Sequence, residues 1–136
     1  DNGPLSDVRV IELGHVIAAP MCGALLSDFG ADVVKIERPG QGDMLRVLSA
    51  RASDGVGAWW KTLARNKRLM ALDWKSEDGR AILRRLVENA HVLIENFRPG
   101  TMEKWGLGYT ELAESLDIQS WESWHLVSSS LVDNYH

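Results

Sequence analysis

Short apolar runs alternate with amphipathic stretches along most of this chain. Residues 8–13, Val-Arg-Val-Ile-Glu-Leu, are rich in β-branched side chains and follow the turn formers Gly3, Pro4 and Asp7, which predicts a strand. Gly14 breaks the pattern, and the loop of residues 15–20 leads into a helix over roughly 21–28. Pro20 sits near that helix's first turn, and Leu25, Leu26 and Phe29 supply its apolar stripe. Gly30 is placed to close it in the left-handed conformation. A second strand is predicted over 33–37, and the Pro- and Gly-rich residues 38–43 form a loop. Residues 44–67 carry a weaker pattern: 59–63 reads as a short helical or buried stretch, and Asn66-Lys67-Arg68 as a basic turn. The third strand is expected over 69–74. Ser76 then caps a helix whose face is Ala81, Ile82, Leu83, Leu86 and Val87, with Glu77 and Asp78 in its first turn and Asn89 at its end. Residues 91–97 are the fourth strand and 98–100 a turn. Thr101 is read as the cap of a short helix over 102–105, before Gly106 and Gly108 break the chain.

Strands alternating with helices over 8–108 predict an α/β class. The expected architecture is a Rossmann-like parallel sheet with flanking helices, right-handed crossovers and strands buried on both faces. Ligands then bind beyond the strand C-termini. Those ends carry Gly14-His15, Arg38, Asp73 to Lys75 and Asn96 to Arg98, a polar set converging on one edge of the sheet. From residue 113 the character changes: serines crowd around Trp121 and Trp124, and apolar periodicity is weak.

Composition narrows the class. A chain of 136 residues with 45% hydrophobic and 25% charged residues suits one folded domain and excludes a fibre or a disordered tail. The net charge of -4 argues against general nucleic-acid binding, while leaving room for a local basic patch that recognises a small phosphorylated ligand. A single cysteine, Cys22, rules out an internal disulfide and a multi-thiolate metal site. No apolar run approaches the ~20 residues of a membrane span, and Asp1-Asn2-Gly3-Pro4 is no signal core. A soluble, cytoplasmic protein is expected, with no metal.

Neither common nucleotide-binding motif is complete in this chain. Glu37 at the end of the second strand suits the acidic position of a dinucleotide fold, but the first loop, Gly-His-Val-Ile-Ala-Ala-Pro, has no G-x-G-x-x-G. No Gly-Lys-Ser/Thr of a P-loop occurs either. An NAD enzyme is disfavoured.

A different family fits an ordered set of segments. Val-Arg-Val-Ile-Glu-Leu is followed by Ala-Ala-Pro and then by Leu-Ser-Asp-Phe-Gly-Ala-Asp-Val-Val-Lys-Ile-Glu-Arg-Pro-Gly-Gln-Gly-Asp-Met-Leu-Arg. Arg-Asn-Lys-Arg at 65–68, Leu-Asp at 72–73, Glu-Asn-Phe-Arg-Pro-Gly at 95–100 and Gly-Leu-Gly-Tyr at 106–109 come next. This series resembles the N-terminus of class III CoA-transferases, the CaiB/BaiF family, which includes formyl-CoA transferase and α-methylacyl-CoA racemase. The likeness covers about residues 4–112.

The resemblance implies a Rossmann-like CoA-binding part, a second domain and an interlocked homodimer. It implies substrates that are CoA thioesters and carboxylic acids, with no nucleic acid and no membrane. Transferases of the family move CoA between acids through an aspartyl anhydride and a thioester, which is covalent carboxylate catalysis. Its racemases use an acid–base pair beside the thioester. Carried over by position, His15, Val16, Ile17 and Ala18 lie along CoA, with Ile17 where the transferases often have Gln. Arg38 stands near the nucleotide; Leu72, Asp73, Trp74 and Lys75 form a backbone-and-lysine contact; Asn96, Phe97 and Arg98 line the cofactor. Lys104 replaces an Arg, keeping the charge without the bidentate fork.

The residue chemistry suits CoA, which needs cations for phosphate and an apolar surface for adenine and pantetheine: Arg38, Lys75, Arg98 and Lys104 offer the first and Phe97 the second. Each has a plainer reading. The cations suit a solvated surface, Phe97 suits core, and His15 suits an ordinary loop histidine. His91 is read as structural, Cys22 as a small buried hydrophobe, Trp59 and Trp60 as packing, and Glu37 as either a ribose ligand or a cation's partner.

No catalytic residue is assigned. Asp117 and Asp133 fall in sequence that leaves the family pattern, and the family's catalytic aspartate is expected beyond this chain. The division expected is a partial CoA-binding domain over 1–112 and a divergent tail over 113–136. The alternatives kept open are a non-catalytic CoA- or nucleotide-binding module and a piece of an acyl-CoA racemase. A part of this kind is also expected to expose apolar surface and to self-associate.

Overall fold

A computed structural model describes residues 3–115; the tail readings at Asp117, Trp121, Trp124 and Asp133 lie outside the described residues. Four parallel strands form one sheet: β1 (Arg9–Glu12), β2 (Asp32–Glu37), β3 (Arg68–Ala71) and β4 (Val92–Ile94), in the order β3-β2-β1-β4. Between them run α1 (Ala18–Asp28), then α2 (Leu45–Leu48) and α3 (Ala58–Leu63), then α4 (Glu77–Glu88); α5 (Thr101–Lys104) and α6 (Tyr109–Ser115) follow β4. The expected α/β parallel sheet with flanking helices is the observed one. Because β2 and β4 both neighbour β1, the chain changes direction across the sheet there. The loops after β1 and β4 therefore face each other over a crevice.

Strand alternation sorts the core into two layers. Val10, Val33 and Ile94 pack with Ala19 under α1. Ile11, Leu13, Ile36 and Leu93 pack with Leu83 and Val87 of α4 and with Met102, Leu107 and Leu112. A third cluster, Ala24, Leu45, Trp60 and Leu63, joins α1 to α2 and α3. Each fully buried aliphatic side chain contributes about 1.5–3 kcal/mol before entropy is counted.

Several expected boundaries move for physical reasons. α1 starts at Ala18 rather than 21, so Pro20 lies inside its first turn, where the missing N–H is not needed. Its end is as expected: Gly30 is left-handed at φ 100, and the Gly30 and Ala31 N–H groups donate to the carbonyls of Ser27 and Leu26. The cap of α4 also holds, with Ser76 Oγ accepting the Gly79 N–H at 3.0 Å. The cap of α5 is Gly100, left-handed at φ 79, and Thr101 is instead the first helical residue. β3 begins at Arg68 and ends before Leu72, though the Leu72 N–H still donates to Glu37 O. It is an edge strand, largely exposed, rather than buried on both faces. In the basic stretch Asn66-Lys67-Arg68, Asn66 lies in a turn, the Lys67 side chain is enclosed, and Arg68 already belongs to β3 and pairs with Asp32. Trp60 is buried as expected, whereas Trp59 is half-exposed rather than packed.

Among the described residues no helix is long and apolar enough to cross a membrane.

Gly30→Ala is expected to lower stability by at least about 1–2 kcal/mol, the cost of placing an L side chain in that backbone region. The added Cβ would also lie 2.8 Å from the Gly3 Cα. The urea midpoint should fall while its m-value stays constant.

Candidate functional site

A cleft of about 250 Å³ opens at the C-terminal ends of β1 and β2 and reaches the loop after β4. Its walls differ in kind. One is aromatic. The His15 and Phe97 rings lie 5.3 Å apart, Phe97 meets Trp105 edge-on at 5.1 Å, and Trp74 is 6.2 Å from both Phe97 and Trp105. Lys75 Nζ sits 5.3 Å over the Trp105 ring, a cation–π contact at the rim. Buried Trp74 Nε1 has no hydrogen-bond partner among the described residues.

The other wall rests on buried charge. Lys35 Nζ lies 2.8 Å from Glu12 Oε1 and 2.8 Å from Asp43 Oδ2, and donates to Gly14 O at 2.8 Å. Glu12 and Lys35 are paired in register on adjacent strands, on the α1 face. Lys67 Nζ reaches Glu12 Oε2 at 2.6 Å and Pro20 O at 2.7 Å. Burial pushes the Lys67 ammonium down from the ordinary lysine range, against the opposing pull of Glu12. Above this set, Glu37 accepts the Asp43 N–H at 2.7 Å and pairs with Arg46 at 2.7 Å. That hydrogen bond holds the Arg46 guanidinium above its usual pKa, despite desolvation. The Arg46 guanidinium also stacks 3.7 Å from the Trp60 ring centre. Of the two readings left open for Glu37, the cation's partner is the observed one.

The loop after β1 is clamped. Asn96 accepts the His15 N–H at 2.9 Å through Oδ1 and donates to His15 O at 2.9 Å through Nδ2. A Cβ at Gly14 would lie 2.5 Å from Asn96 Oδ1, so the close approach requires glycine. Val16 follows at φ 67, a region that costs a β-branched residue roughly 1–3 kcal/mol.

Of the residues read from sequence, His15, Arg38, Trp74, Lys75 and Phe97 line the cleft together. Val16 and Asn96 shape the adjoining loop, Ile17 caps α1 and Ala18 opens it. Leu72 is core, and Asp73 organises the turn into α4 through Ser76 and the Lys75 N–H. Arg98 and Lys104 are exposed and outside the cleft wall. Sequence reasoning missed Lys35, Gln41, Gly42, Asp43, Met44 and Trp105 in the wall, and Glu12 and Lys67 behind it. A signal existed in a Lys and a Glu inside apolar strands. His91, expected to be structural, accepts the Arg9 N–H on Nδ1 at 3.0 Å, at the opposite end of β1. Among the described residues no cluster of His, Cys, Asp and Glu could hold a metal.

The sequence profile of CoA-transferase family III matches residues 5–116. The chain belongs to CoA-transferase family III. A family III relative, succinyl-CoA–D-citramalate CoA-transferase of Chloroflexus aurantiacus, is 50% identical over 109 residues, covering 80% of this chain and 27% of its own. Succinyl-CoA:mesaconate CoA-transferase of Haloarcula hispanica is 46% identical over 116 residues, covering 82% of this chain and 29% of its own. The crystal structure of a CaiB/BaiF family protein from Brucella suis superposes with a TM-score of 0.76 at 39% identity, over 84% of this chain and 31% of that one. The chain thus spans under a third of the length of the family III proteins it matches.

Cys22, half-buried on α1, has its thiol pushed up by burial and by the Glu12 carboxylate, with Lys67 opposing. Alkylation by iodoacetamide should therefore be slow near neutral pH. Its rate should rise through a midpoint above the ordinary thiol range, as stopped-time mass spectrometry would read.

Proposed function

We propose that this chain is the CoA-binding N-terminal part of a class III CoA-transferase, and that residues 1–112 form the CoA-binding unit. The observation that carries this reading is the two-sided cleft at the strand C-termini. Arg38 and Lys75 sit at its rim to meet phosphate, and Phe97, Trp105 and His15 offer stacking and apolar surface to adenine or the pantetheine arm. A cleft of about 250 Å³ seats only part of CoA, so the rest extends over the exposed rim. The similarity to relatives named as CoA-transferases of succinyl-CoA supports the same ligand class.

The proposed reaction moves CoA between carboxylic acids. An aspartate carboxylate attacks the thioester carbonyl, CoA leaves as thiolate, and a mixed anhydride forms. The thiolate then attacks the aspartyl carbonyl, releasing the first acid and leaving an aspartyl thioester. The second acid's carboxylate attacks that thioester and expels the CoA thiolate, which attacks the acyl carbonyl of the new anhydride to give the product thioester and free the aspartate. Both carboxylates in the cleft wall are already engaged, Glu37 by Arg46 and Asp43 by Lys35. The nucleophile is therefore assigned to sequence beyond this chain. This chain's part is to hold CoA and orient its thioester end.

Calorimetry with CoA and with NAD tests the binding. CoA should bind and NAD should not, and Arg38→Ala should weaken CoA about tenfold or more, the worth of one charged contact. An unchanged dissociation constant, or equal binding of NAD, would overturn the reading.

A homodimer is proposed as the assembled state. α1 leaves Ile17, Met21, Leu25 and Phe29 exposed at four-residue spacing, one continuous apolar stripe. Sedimentation velocity should show reversible self-association of the chain, and Leu25→Glu should shift it toward the smaller species.

A further inference from the structure

We propose that Asp43 is a positioning residue for the loop between β1 and α1: its carboxylate, tied to Lys35, holds Val16 in the left-handed conformation and so sets the path of residues 15–18. The proposal rests on the reading of the cleft as a CoA site.

Val16 at φ 67 occupies backbone space that β-branched residues rarely adopt, and such a conformation persists only where its surroundings over-determine it. The Asn96 clamp grips the N–H and carbonyl of His15 and stops there. The next N–H, that of Val16, donates to Asp43 Oδ1 at 3.1 Å. The same oxygen accepts the Leu45 N–H at 2.9 Å, which anchors the carboxylate to the start of α2. The other oxygen faces Lys35 Nζ, which also holds Gly14 O. One buried ion pair thus grips the loop at Gly14 and at Val16, on either side of the His15 ring that lines the cleft. The Asp43 carboxylate is buried: Oδ1 accepts both N–H groups, while Oδ2 has the Lys35 charge beside it and no hydrogen-bond partner among the described residues, so its hold on the loop runs through Oδ1.

The test uses the property that distinguishes glycine. Glycine reaches positive φ without steric cost, so Val16→Gly relieves the need for the clamp. In the full chain, Asp43→Ala should weaken CoA about tenfold by calorimetry and speed hydrogen exchange of the Val16 amide. Measured against Val16→Gly as its own reference, the double variant should lose little further CoA affinity, so the Val16→Gly background rescues most of the loss that Asp43→Ala causes in the wild type. Asp43→Asn, which keeps the acceptor and the volume, should fall between wild type and Asp43→Ala and serves as the variant should Asp43→Ala fail to fold. Wild-type affinity in Asp43→Ala or Asp43→Asn, or a loss that Val16→Gly does not rescue, overturns the proposal while CoA binding by the wild type stands. If the wild-type chain takes no CoA, the site reading falls and the proposal falls with it.

Discussion

Two carboxylates and two ammonium groups lie together, almost without solvent, at the C-terminal edge of the sheet. Glu12 and Lys35 are enclosed in adjacent strands, Asp43 reaches in from the loop after β2, and Lys67 from the segment before β3. An isolated charge in such a place is too costly to keep. The four persist because their charges balance and the Gly14 and Pro20 carbonyls and the Val16 and Leu45 N–H groups take hydrogen-bonding positions on Lys35, Lys67 and Asp43 Oδ1, while Asp43 Oδ2 is met by the Lys35 charge alone. Removing one member of such a pair typically costs about 3–5 kcal/mol, because its partner stays buried and uncompensated. That is a large share of the roughly 5–15 kcal/mol that keeps a domain folded. The groups it joins are separated widely along the chain, so the network pins β1, β2, α1, α2 and the approach to β3 into one arrangement.

The cleft follows from that pinning. The charged side fixes the floor under the loop after β1, and Asn96 fixes the same loop from the end of β4. Between them the loop is held in a conformation it would not adopt alone. Across the gap the aromatic wall is built from three separate segments, with Trp74 after β3, Phe97 after β4 and Trp105 after α5. Edge-on and tilted ring contacts favour such a cluster beyond the area it buries. A rigid floor and a polarisable wall suit a ligand with both phosphate and heteroaromatic parts, which is the ligand class proposed for this site.

Much of this was legible from the residues in order. Short β-branched apolar runs bounded by turn formers placed all four strands, and the 3.6-residue period placed α4, whose Leu83 and Val87 are buried. The stripe expected for α1 was not its core face, because Leu25 and Phe29 are exposed and the small residues Ala19, Gly23 and Ala24 pack inward. The Gly30 and Ser76 caps were legible because each satisfies its own helix's end within a few residues. Part of the cleft, namely Gly14, His15, Arg38, Trp74, Lys75 and Phe97, followed from topology, because a parallel sheet gathers its strand C-termini on one edge.

What the chain by itself determined was therefore local: which stretches bury one face, where they stop, and the ordered motifs that mark the family. The tertiary structure decided which charged residues face inward. Lys67 in a basic tripeptide and Asp43 in a Gly-rich loop look solvated in sequence, yet both are enclosed by partners 55 and 27 positions away, Glu12 and Val16. It also decided that Glu37 serves Arg46, that β3 is an edge, and that Trp105 rather than Lys104 faces the cleft. Burial of a charge depends on finding an opposite charge in three dimensions, and no local period records that meeting.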